Sequence, residues 1–151
     1  MCLGVSLCPA ASVSLFQFGR GCLSFALNDV DLGEAASGLF GQALQVAVDL
    51  YSKEDMISIS HYGTNGSVFG QHGDKVAVKN GGVSLGHLAN DSWNGAVVAG
   101  PAISSGQHTW LFRVENRGRR HFGIGVITAE YLEKYPELNR WIGQRSGIES
   151  W

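Results

Sequence analysis

Apolar and polar side chains alternate with a period of two along most of this chain, and no other feature constrains its fold as tightly. Leu23, Phe25 and Leu27 alternate with Ser24, Ala26 and Asn28, and Leu44, Val46, Val48 and Leu50 with Gln45, Ala47 and Asp49. Ile57 and Ile59 alternate with Ser58 and Ser60, and Val76 and Val78 lie between Lys75 and Lys79. Trp110, Phe112 and Val114 alternate with Leu111, Arg113 and Glu115, and Phe122, Ile124 and Val126 with Gly123, Gly125 and Ile127. Successive side chains of a strand point to opposite faces, so each segment has one face to bury and one wetter face, the pattern of antiparallel strands. Asn28-Asp29, Asn65-Gly66, Asn80-Gly81-Gly82 and Asn94-Gly95 tolerate the positive φ that tight hairpins need. Strands at this spacing imply a sandwich or a barrel.

Two segments break the alternation. Thr128 to Tyr135 reads as a short helix: Thr128 is placed to cap it, Glu130 suits its first turn, and Pro136 lies just past its end. Residues 60–74, SHYGTNGSVFGQHGD, carry four glycines with Asn65 and Ser67 and read as a flexible connector. They separate a front block, 13–59, from a back block, 74–151, with 60–73 joining them.

Composition narrows the setting. With 151 residues, 44% of them hydrophobic and 16% charged, the chain is long enough for one domain with a real core and is not of disordered type. A net charge of −2 favours neither a nucleic-acid nor an anionic-membrane partner. Cys2, Cys8 and Cys22 are odd in number and match no zinc spacing, so they read as reduced thiols in a cytoplasmic protein. The apolar stretch 1–16 lacks the Lys or Arg of a secretory n-region, and no run approaches a membrane span. The Asn-x-Ser sequons at Asn65 and Asn90 matter only in a secreted chain.

No motif assembles a catalytic centre. Gly82-Val83-Ser84-Leu85-Gly86 matches a nucleophile elbow, which needs a helix after it; here a hairpin follows, which makes Ser84 an outward-facing strand residue. His61, His72, His87, His108 and His121 lack metal-ligand spacing, so neither a metal nor a cofactor is expected. Gly123 and Gly125 lack the third glycine of a nucleotide fingerprint and read as room for a bulky neighbour such as Trp110. The basic run Asn116 to His121 is a hairpin tip whose arginines suit an acidic or carbonyl-rich peptide. Trp141, on a polar loop, is either a lid or a binding anchor.

Several of these segments resemble SPRY (B30.2/SPRY) domains. Ser105-Gly106-Gln107-His108-Thr109-Trp110 with Arg113-Val114-Glu115 resembles the family's SG-x-HYWEV-x-V core, Phe122 to Val126 its IGV strand, and Ser150-Trp151 the start of SWG. Lys79 to Gly82 and Asp91 to Trp93 resemble its opening hairpin. Gly21 to Phe25, Asn28, Leu32-Gly33 and Ser37 to Leu39 resemble GTLSFFLNG-x-x-LGVAFSGL, and Gln45 to Tyr51 resembles YPAVSLY, with Gln45 and Val46 in place of Tyr-Pro. The order is inverted, since in the family the back block comes first. A circular permutation, a slice of a tandem array and a mis-cut gene each account for that. Surface termini tolerate rejoining, and the connector is long enough to link neighbouring strands. Val13 to Phe18 alternates as a strand before Gly19, and Cys2 to Cys8 is a candidate for another; without it an open edge invites pairing with a second chain.

The resemblance implies a concanavalin-like jelly-roll sandwich of two antiparallel sheets, circularly permuted, with one short helix. It also implies a non-catalytic module that binds a peptide or protein surface through loops at one end. The loops it indicates carry Tyr51, Ser52 and Lys53, then Leu138, Arg140 and Trp141; the hairpin tip adds Arg117, Arg119 and Arg120. The competing reading is a carbohydrate-binding lectin, with Trp141, Arg140 and Asn139 as a stacking face, although the galectin-like His-x-Asn-x-Arg pattern is absent.

Overall fold

Among the described residues the chain forms twelve strands and one α-helix. The computed structural model describes residues 21–39, 41–60, 67–116, 118 and 122–140, together with the backbone of 2–3, 12–16 and 61. The strands are β1 (Cys2–Leu3), β2 (Ser12–Phe16), β3 (Leu23–Leu27), β4 (Val30–Ala36), β5 (Leu44–Leu50), β6 (Met56–His61), β7 (Phe69–His72), β8 (Val76–Lys79), β9 (Ser84–His87), β10 (Asn94–Val98), β11 (Thr109–Asn116) and β12 (Gly123–Thr128); the helix is α1 (Ala129–Lys134). They build two sheets, a five-stranded one ordered β1-β12-β5-β10-β7 and a seven-stranded one ordered β4-β3-β2-β11-β6-β9-β8. Every pairing described is antiparallel. The chain is an all-β sandwich of two open sheets with one short helix.

Strands from the two ends of the chain interleave in both sheets. β5 lies between β12 and β10, and β11 lies between β2 and β6. The buried faces therefore meet in one apolar cluster, where Leu23, Phe25, Val46 and Val48 join Trp110, Phe112, Ile124 and Val126. Phe112 and Val48 have no exposed surface at all.

A smaller cluster covers the outer face of the five-stranded sheet. Ala47, Val97, Ile127 and Leu138 pack there with Tyr131 and Leu132 of α1. The Thr128 side chain accepts a hydrogen bond from the Tyr131 amide at 3.1 Å, which satisfies one orphan donor of the first turn. Glu130 near the start and Lys134 near the end complement the helix dipole. Because α1 shields this face, β5 is buried on both sides, and its period-two pattern conceals that.

Four local expectations change. The Asn28-Asp29 turn forms with φ of 49° and 65°, but Asn94-Gly95 is no turn: it opens β10, and the left-handed residue of that loop is Asp91, at φ 54°. Asn94 is buried because its side-chain oxygen accepts from the Lys75 amide and sits against Gly73, where any Cβ would overlap it. The connector expected over 60–74 carries strand in part, with β6 reaching His61 and β7 spanning Phe69–His72; 62–66, and with them Asn65-Gly66, lie outside the described residues. Gly123 and Gly125 face Asp49 and Ala47 on the outer side of the sheet, away from Trp110, since the alternate residues Ile124 and Val126 point into the core. Ser84 lies on the outer side of β9 but is buried, its hydroxyl accepting from the Asn80 side-chain Nδ2 at 3.1 Å.

Truncating Phe112 removes the largest side chain at the centre of the shared cluster. Phe112→Ala should lower the unfolding free energy by about 3–5 kcal/mol, read from urea denaturation, as for other fully buried aromatics.

Candidate functional site

Leu50 ends β5 opposite Asn94, the first residue of β10, so Tyr51 and Trp93 leave the sheet side by side. Their rings sit 4.9 Å apart at an interplanar angle of 59°, within the range of favourable tilted aromatic pairs. Both side chains are half-buried.

Asp55 organises the loop that follows. It is 2% exposed. One carboxylate oxygen accepts from the amides of Tyr51 and Ser52 at 2.9 and 2.8 Å, and the other from the amide of Gly118 at 2.8 Å. An anion receiving three backbone N–H groups makes charge-assisted bonds, stronger than neutral ones. The third bond reaches Gly118, between β11 of one sheet and β12 of the other, and ties it to loop 51–55; because β11 and β12 do not pair, this connection is not the hairpin expected from the sequence. Gly118 is required at that contact, because a Cβ there would overlap the Ser52 side chain.

A third loop joins the same end. The Asn90 side chain accepts from the Lys53 amide at 3.1 Å, and the His87 amide donates to the Asp55 carbonyl at 3.1 Å. The His87 ring is buried, and its Nδ1 faces the Ala89 carbonyl, which can only accept, so Nδ1 carries a proton. Nε2 of His87 and Oγ of Ser92 are buried with no hydrogen-bond partner among the described residues. Leu88, in the same loop, is 54% exposed. The Leu138 carbonyl accepts from Gly95 at 2.7 Å, which brings the segment after α1 to this end as well.

Of the residues singled out from the sequence, Tyr51, Ser52, Lys53 and Leu138 thus gather at one end of the sandwich. Ser52 and Leu138 are buried there, at 8% and 3% exposure, so they brace the loops and present almost no contact surface. Lys53 is exposed. Arg140 is exposed too, its guanidinium 5.6 Å from the Tyr135 ring, with the Lys134 ammonium 5.5 Å from the same ring. Arg117, Arg119, Arg120 and Trp141 lie outside the described residues.

Sequence reasoning passed over Asp55, Asn90 and Trp93 as members of this surface. A signal for Asp55 existed, since Ser52-Lys53-Glu54-Asp55 has the Ser-x-x-acid spacing at which side chains and backbone amides bond reciprocally. Asn90 and Trp93 had no such signal, because their pairing with residues 53 and 51 is long-range.

Elsewhere, a shallow depression of about 310 Å³ runs beside α1, bounded by Gln45, Gln71, Leu132, Glu133 and Pro136. Both glutamine amides are engaged there, Gln71 to the Pro136 carbonyl at 2.6 Å and Gln45 to the Gly100 carbonyl at 3.3 Å. Among the described residues no group of three or more His, Cys, Asp or Glu side chains is placed to hold a metal ion, and no helix is long and apolar enough to cross a membrane. No family model, curated protein or solved structure matches the chain.

The Asp55 clamp has a measurable consequence. Asp55→Ala leaves three backbone amides, that of Ser52 buried and those of Tyr51 and Gly118 partly so, without their acceptor and should cost about 3 kcal/mol in a urea melt. Gly118→Ala should raise amide hydrogen exchange in loop 51–55 while the core strands stay protected.

Proposed function

We propose that this chain is a non-catalytic interaction module of SPRY type, its halves in permuted order, that binds a short peptide or protein surface through one end of the sandwich. The observation that carries this reading is the Tyr51–Trp93 pair, held beside exposed Leu88 and Lys53 on a loop end fastened by Asp55. Aromatic rings on rigid loops offer large contact area at low entropic cost, and binding energy concentrates in such anchors. The adjoining ammonium of Lys53 and amide of Asn90 are suited to orient peptide acceptors. The SPRY-like motifs support the same assignment, because they place their variable loops on a β scaffold. A cytoplasmic setting is part of the proposal, in keeping with three cysteines, an odd number that matches no zinc spacing.

Ser84 offers little to a hydrolytic alternative, since its hydroxyl accepts from Asn80 and its strand runs on to His87 without a following helix.

The test is a peptide-display selection against the intact chain, followed by calorimetry of the selected peptides. Tyr51→Ala combined with Trp93→Ala should weaken binding by about 2 kcal/mol, roughly thirtyfold, with the thermal midpoint nearly unchanged. Selected peptides that bind the double variant as tightly as the wild type would refute the assignment of this end. Selective retention of the chain on a glycan array, with no peptide recovered, would replace the reading with a lectin.

A further inference from the structure

β4 is the outermost strand of the seven-stranded sheet, and it is unusual in what it leaves exposed. Val30 is 63% exposed and Leu32 is 53% exposed, the first and third residues of a seven-residue strand. Beyond its ladder to β3, its one side-chain hydrogen bond among the described residues is internal, from the Gly33 amide to Asp31 at 2.8 Å.

The register with β3 sorts its side chains by face. Val30 faces Leu27 and Gly33 faces Phe25, on the side that carries the core; Asp31 faces Ala26 and Glu34 faces Ser24, on the opposite side. Leu32 and Ala35 fall at the two register shifts. One side of the edge is thus apolar and the other acidic. Asp29, at the preceding turn, adds a further carboxylate, and no Lys or Arg occurs anywhere from Gly21 to Ser52. The ion pair found among the described residues, Arg113 with Glu115, lies on β11.

We propose that β4 accepts an added antiparallel strand from a partner segment whose side chains alternate basic and apolar. Backbone groups along a sheet edge supply the affinity in such an addition, and alternate side chains supply the specificity. A basic residue on the added strand lies beside Asp31 or Glu34, and its apolar neighbours extend the core-side surface begun by Val30. The same charges reject a second copy of this chain, because two β4 strands set side by side bring carboxylate against carboxylate, and like charges opposed across strands are unfavourable. Charged residues and register shifts are common protections of sheet edges against self-pairing, and here they leave a basic strand as the matching occupant.

The probe is a short acetylated peptide of alternating lysine and valine, with a glutamate-for-lysine control, added to the intact chain. Hydrogen exchange should show new protection confined to 30–36, and binding should weaken as salt is raised. Asp31→Lys combined with Glu34→Lys should weaken binding at least about tenfold without altering the circular dichroism spectrum. Equal binding of the glutamate peptide, or protection away from β4, overturns the proposal. So does a concentration-dependent dimer of the free chain that Leu32→Lys abolishes, since that makes a second copy the occupant. The hydrogen-exchange arm needs no variant, so a charge reversal that failed to fold would not spare the idea.

Discussion

Everything in this molecule depends on the contact between the buried faces of β5 and β11. Val46 and Val48 from one sheet and Trp110, Phe112 and Val114 from the other belong to one apolar cluster, and each of these side chains is almost fully withdrawn from water. Burying one such side chain is worth about 1.5–3 kcal/mol, so only the sum over both faces overcomes the conformational entropy of ordering the strands. Neither sheet has a face it can bury alone. β5 draws neighbours from the later part of the chain and β11 takes β2 and β6 from the earlier part, which makes the two ends of the sequence mutually dependent.

That contact also decides where the loops emerge. Because β5 and β10 are paired in register through Leu50 and Asn94, Tyr51 and Trp93 have little choice but to meet. The remaining freedom lies in the loops, and Asp55 removes much of it by engaging amides from both sides of the gap. A carboxylate serves here better than an amide or hydroxyl, since an anion with two oxygens has acceptor sites for all three donors. The result is a loop end whose exposed side chains stand on an ordered base, as recognition requires if binding is not to be spent on ordering the loop.

The loop end and the β4 edge involve different physics. The first offers aromatic area and a few fixed polar groups; the second offers the outer edge of a sheet and a one-sided charge. β4 is distant in sheet order from β6, the strand that continues from the Asp55 loop, with β3, β2 and β11 between them. Two partners, or two segments of one partner, therefore fit the geometry without competing for the same atoms.

The strand character of the chain was legible in its period-two alternation, because that pattern depends only on how successive side chains leave an extended backbone. The helix cap at Thr128 and the turn at Asn28-Asp29 were legible for the same reason: the interacting groups lie within a few residues of each other. What the tertiary structure alone decided involves partners far apart in sequence. Asn94-Gly95 has the composition of a turn, yet it enters a strand because Asn94 pairs with Leu50 and fills the notch at Gly73. Phe69 to His72 sits in a glycine-rich stretch, yet pairing with β10 makes it a strand. Ser52 and Leu138 looked like surface loop residues until Asp55, Gly118 and Gly95 closed around their backbones. Local propensity is small beside long-range pairing and burial, so the sequence alone determined the kind of elements, while packing determined which loop residues were left facing the solvent.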